Sequence, residues 1–208
     1  MVRRISLSRY TSVITCVAYL TLSGCLSETS IQKDHSASEI ISIFTNLTDK
    51  ACEKIIDHDD PNSVPYNKCP GVSGYSLLIR RVGSGRKSID VETPTLKQIP
   101  LDYQNLITTH MSHLDNKAEW RVKVKNEKKI PIALIIRVFS HENQEEPERV
   151  THSYLAVSKF IENEICVTNK ILENSLSQEQ VYMKADLSQQ AKCLKTQPSS
   201  NGVVESIR

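Results

Sequence analysis

The chain has 208 residues, with 26 Lys and Arg against 24 Asp and Glu, six His and six Cys. Residues 1–24 hold three arginines and no acid, so the remaining 184 residues carry 23 basic and 24 acidic side chains. That balance offers nothing to a phosphate backbone and excludes nucleic acid as an electrostatic partner, while 184 residues suffice for one domain with a real core.

The first element is a targeting segment. Arg3, Arg4 and Arg9 precede the apolar run Tyr10–Leu22, which at 13 residues is shorter than the roughly 20 needed to span a bilayer. A basic opening, a short apolar run and small residues after it predict a secretory signal. "LSGC" (Leu22–Cys25) resembles the bacterial lipobox, and the resemblance implies acylation of Cys25 and a membrane anchor at residue 25. Two or three acyl chains hold a protein on a bilayer stably where one does not. Leu26, rather than an aspartate, points by the same resemblance to the outer membrane. Residues 25–38 are polar and aperiodic, a flexible tether.

Glu39–Leu47 is a strand or a short helix, because an apolar run this short is ambiguous. Thr48–Asp57 reads as a helical turn carrying Cys52, and His58–Gly74 as a loop dense in Asp, Pro, Asn and Gly. Tyr75–Val82 and Arg86–Glu92 flank Gly83-Ser84-Gly85 as a hairpin. Leu101–Leu114 has apolar residues at mixed spacings and predicts a short amphipathic helix. Glu119–Lys125, Ile130–Ser140, Thr151–Ile161 and Glu164–Leu172 read as strands. The second of these is apolar almost throughout, as expected of a central strand buried on both faces. Ser175–Leu194 is helical, with Ser177 as N-cap, and 195–208 is a disordered tail. The expected architecture is α+β: one antiparallel sheet of five to six strands, packed by a C-terminal helix and one or two short helices, in a single domain over 39–194.

With Cys16 in the signal and Cys25 acylated, Cys52, Cys69, Cys166 and Cys193 remain. An even count in an exported domain predicts disulfides, and four cysteines allow three connectivities. Proximity favours Cys52–Cys69 and Cys166–Cys193. A zinc site competes, but no pair has the tight C-x₂₋₄-C spacing.

Three segments together, "CPGVSGYSLLIRRVGSGRKSIDV" (Cys69–Val91), "AEWRVK" (Ala118–Lys123) and "IPIALIIRVF" (Ile130–Phe139), with "SYLAVSKFI" (Ser153–Ile161) and Cys193, resemble an uncharacterised family of exported alphaproteobacterial proteins. The resemblance covers about residues 45–194. It implies a single secreted domain and supports the proximal cysteine pairing, and it carries no activity. Where that family has an acidic residue before the arginine of the hairpin turn, this chain has Gly85 before Arg86.

Candidate sites are few. His110 and His113 would share a helix face at i, i+3, but Met111 and Ser112 replace the H-E-x-x-H pattern, so solvated histidines are the better account. Asp57, His58, Asp59 and Asp60 crowd a loop without the spacing of a calcium site. Glu119 and Arg121 flank Trp120: the tryptophan points into the core, and the charged pair shares the other face. With Arg86, they are the binding-surface candidates, since Arg and Trp are enriched in hot spots. No G-x-S-x-G or S-x-x-K pattern supplies a nucleophile, and no cofactor or metal is expected. The resulting expectation is a lipid-anchored envelope protein acting by binding, as an accessory subunit or an inhibitor-like module with an envelope protein as partner. A periplasmic hydrolase with a loop-built site is the alternative.

Overall fold

The structure is a computed structural model, and it describes residues 38–56, 64–83, 85–162 and 164–196. The signal segment, Cys25, the tether up to residue 37, the Asp57–Asp60 cluster and the tail beyond residue 196 lie outside the described residues.

Ten strands form two antiparallel sheets of five. The larger sheet is ordered β1 (Glu39–Asn46), β7 (Met111–Lys125), β8 (Lys128–His141), β9 (His152–Ile161) and β10 (Glu164–Leu172). The smaller runs β2 (Glu53–Ile55), β3 (Tyr66–Pro70), β4 (Ser76–Val82), β5 (Arg86–Glu92) and β6 (Gln98–Pro100). Among the described residues there are two α-helices, α1 (Tyr103–Leu106) and α2 (Gln178–Asp186), and a 3₁₀ turn, Ser188–Gln190.

Side chains alternate across a strand, so each sheet has two faces. Leu77 and Ile79 of β4 and Ile89 and Val91 of β5 meet Trp120, Leu134, Ile136 and Phe160 of the larger sheet in one buried cluster. The opposite face of the larger sheet, Ala133, Ile135, Val157 and Ile171, is covered by Val181 and Ala185 of α2. This explains the continuous apolar run of β8, which is buried on both sides. Pro131 is tolerated within it because it sits at a register shift opposite Val122, where the ladder is already interrupted. Asn126 and Glu127, both at positive φ, turn β7 into β8.

The molecule is therefore mostly β, with two sheets where α+β with a single sheet of five to six strands was expected. Short strands account for the difference. β2 and β6 have three residues each and show no period, and β3 lies in a stretch whose Pro and Asn residues signal a loop. The helix expected over Leu101–Leu114 is reduced to the four residues of α1. Ile107, Thr108 and Thr109 follow it, β-branched side chains that disfavour helix continuation, and the chain from Met111 pairs with β8 instead.

Other expectations are met. Ser177 caps α2 in a reciprocal box: Ser177 Oγ accepts from Gln180 N, and Gln180 Oε1 accepts from Ser177 N at 2.9 Å. Both disulfides form, Cys52–Cys69 and Cys166–Cys193. Among the described residues, no helix is long and apolar enough to cross a membrane.

Candidate functional site

The inner face of the β4–β5 hairpin changes character along its length. Leu77 opposes Val91 and Ile79 opposes Ile89, and two residues further on Arg81 opposes Lys87. By strand alternation these two cations share the face of the core residues, beyond the point where the core ends. The facing wall is the first part of β7. There the buried Ser112 shares the inner face with Leu114, while Met111, paired with His141, and His113, paired with Phe139 of β8, alternate to the other face and border the opening at its edge. The Lys87 backbone N–H donates to Ser112 Oγ at 3.3 Å and ties the two walls together.

Between the walls the sandwich opens into a groove. Lys87 borders three cavities of about 660, 530 and 280 Å³, and Arg81 borders the first two. Tyr66, Asn67 and Ile79 line the largest, whereas Met111, His113, His141 and Glu148 line the second.

Ion pairs lie on the outer faces of both sheets. On the outer face of the smaller sheet, Lys68 pairs with Glu92 at 2.5 Å and Arg80 pairs with Asp90. On the outer face of the larger sheet, Lys159 meets Glu164, and Arg137 is shared by Asp115 and Glu173. Arg81 and Lys87 make no ion pair among the described residues. Of the groove's acids, Asp115 pairs with Arg137, and Asp49 accepts from the neutral Asn67 Nδ2 at 2.8 Å within the first cavity and keeps its charge there. Glu148 lies at the exposed rim of the second cavity.

His113 stacks on Phe139 with ring centroids 4.7 Å apart, and its Nδ1 lies 2.9 Å from His141 Nε2. One of the two nitrogens donates to the other. Burial is the main cause that lowers the His113 pKa; His141 and Lys87 lower it further and Asp115 opposes them. His141 Nδ1 is buried and has no hydrogen-bond partner among the described residues.

The sequence-derived candidates fall elsewhere. Arg121 is only 8% exposed. It lies under α2 bound to Asp186 and Ser42, and Glu119 accepts from the same Ser42 hydroxyl. The pair shares the face opposite Trp120, as expected, but α2 covers that face and removes Arg121 from any contact surface. Arg86 alternates away from the groove, and its guanidinium approaches Gly83. His110 and His113 are not on a helix: His113 is in β7, and His110 precedes the strand. Arg81 and Lys87 were missed. The legible signal was the hairpin register, which continues the alternation Leu77, Ile79, Arg81 against Lys87, Ile89, Val91.

Ser112 Oγ accepts from the Lys87 backbone N–H, the His113 ring is hydrogen-bonded to His141, and no hydrogen bond joins Ser112 to His113 among the described residues. Among the described residues, one grouping of three candidate metal ligands occurs, Glu164, Cys166 and Cys193. Its two sulfurs are joined as a disulfide and do not serve as thiolate ligands.

Neither a family model nor a curated protein nor a solved structure matches this chain.

Proposed function

We propose that this chain is a lipid-anchored cell-envelope protein whose two-sheet domain acts by binding, as an accessory subunit or inhibitor-like module, through the groove beneath the β4–β5 hairpin. The observation that carries the reading is the juxtaposition of Arg81 and Lys87, two cations that make no ion pair among the described residues, at the mouth of two cavities. A folded domain that places like charges opposite one another gives up stability there, and an outside partner restores it.

The anchor rests on the lipobox resemblance at Cys25, with Leu26 favouring the outer membrane. Two disulfides support an oxidising compartment. The resemblance to exported alphaproteobacterial proteins agrees with that address.

Two measurements test the proposal. Metabolic labelling with a palmitate analogue labels the wild type and not Cys25→Ala; label on both overturns the anchor. A photo-crosslinking residue at Arg81, in natively processed protein in intact cells, captures an envelope partner that the same residue at exposed Lys184 on α2 does not. Equal capture at both positions, or at neither, overturns the groove as the contact site.

A further inference from the structure

We infer that the Arg81–Lys87 pair is an oxyanion-binding site for a phosphate- or carboxylate-bearing ligand. This assignment rests on the binding role proposed for the groove and names the chemistry of what enters it.

The backbone positions of the two cations are fixed. Their register is set by the apolar pairs Leu77–Val91 and Ile79–Ile89 before them and by the turn at Gly83 and Gly85, both at positive φ, beyond them. Directly opposed residues have Cβ atoms about 4.5–5.5 Å apart, and like charges in that position destabilise a sheet. Five other cations of the two sheets, Lys68, Arg80, Arg121, Arg137 and Lys159, are each given a carboxylate. Lys125 and Lys128 are likewise directly opposed, at the β7–β8 turn, and Arg81 and Lys87 are the opposed pair that borders the two shared cavities. A guanidinium offers two parallel N–H donors to an oxyanion, and an ammonium adds a point charge. An anion between them removes the repulsion and forms charge-assisted hydrogen bonds at once.

The surroundings give the ligand a polarity and a direction. His113 and His141 border the same cavity as the two cations, and either ring adds positive charge when protonated. The larger of the two cavities that Arg81 and Lys87 share, at about 660 Å³, adjoins through these residues themselves. Its volume is in the range of small-ligand sites, so the body of the ligand extends past Tyr66 and Ile79 while its anionic group stays at the cations. Glu148 at the rim repels an anion, so Glu148→Gln tightens binding.

The experiment uses the natively lipidated full chain reconstituted in phosphatidylcholine vesicles. Thermal unfolding is followed through Trp120, the single tryptophan, in inorganic phosphate or in chloride of equal ionic strength. At tenfold its Kd, phosphate raises the wild-type midpoint by about 3–6 °C. Lys87→Glu pairs with Arg81, so without phosphate its midpoint lies about 1–3 °C above wild type, and its response to phosphate is lost. Arg81→Gln loses the response as well and serves if Lys87→Glu misfolds. An equal phosphate effect on wild type and variants is a general salt effect and overturns the site, as does a Lys87→Glu midpoint below wild type in chloride. Vesicles of phosphatidylglycerol distinguish the sources of the anion. A higher midpoint and a blunted phosphate response there identify a lipid headgroup, whereas no difference between vesicles identifies a soluble ligand. Should crosslinking from position 81 capture a partner while phosphate does nothing, the anion assignment fails and the binding role stands.

Discussion

Arg121 on β7 grips Asp186 at the end of α2 through two parallel hydrogen bonds, Nε to Oδ1 at 2.7 Å and Nη2 to Oδ2 at 2.8 Å. The same guanidinium donates to Ser42 of β1 and lies 4.4 Å from the ring centre of Tyr182. One side chain thus ties an edge strand, its neighbour and the covering helix. Asp186→Ala leaves that guanidinium buried without its carboxylate and costs about 2–3 kcal/mol in urea unfolding. Arg121→Met with Asp186→Leu restores most of the loss, because two apolar side chains replace an ion pair that had to be desolvated. A double variant as unstable as Asp186→Ala would refute this account.

Gly71 explains part of the Cys-Pro-Gly-x-x-Gly-Tyr stretch. A Cβ at this position would lie 2.4 Å from the Tyr75 carbonyl oxygen and 3.0 Å from the Trp120 ring. Trp120 is fully buried, edge-on to Phe160 at 5.3 Å, and donates from Nε1 to Thr45 Oγ1 at 3.0 Å. Gly71→Ala therefore displaces the turn or the indole, costs about 2–3 kcal/mol and shifts Trp120 emission. A variant with wild-type stability and emission would show that the turn moves freely.

The disulfides close segments with sequence separations of 17 and 27. Cys166–Cys193 holds the segment after α2 against β10, where Leu194 N donates to Val167 O at 2.7 Å. Replacing both of its cysteines by alanine lowers stability by about 2–4 kcal/mol and opens residues 191–196 to proteolysis. A non-reduced peptide digest gives the pairing directly, and peptides joining Cys52 to Cys166 or Cys193 would contradict it.

His113 makes stability depend on pH. Its folded-state pKa lies below its ordinary value of about 6.5, through burial, His141 and Lys87 against Asp115. The folded state then binds fewer protons than the unfolded state, so stability rises with pH. The contribution is complete above about 6.5 and is lost as pH falls through the unfolded value toward the folded one. Urea midpoints between pH 7.5 and 5.5 fall for wild type and less for His113→Gln. Identical slopes would assign the titration elsewhere. Phosphate reduces the wild-type slope, because a bound anion offsets the charge of the imidazolium facing Lys87 and Arg81.

Long strands with a clear period were legible before folding. Trp120 facing inward, the doubly buried β8, the β4–β5 hairpin, the Ser177 cap and the proximal cysteine pairs follow from alternation, turn residues and chain separation, which are local quantities. The second sheet was not legible, since β2, β3 and β6 are too short to show a period and exist only through pairing with β4 and β5. Nor was the burial of Arg121: its alternation assigns a face, but only the docking of α2, some 65 residues away, decides whether that face meets solvent. The groove has the same origin. The register that opposes Arg81 to Lys87 is written in the hairpin, whereas the wall formed by Ser112, with Met111 and His113 at its edge, arises only when the two sheets pack, because contacts between distant segments depend on three-dimensional closure rather than on any local pattern.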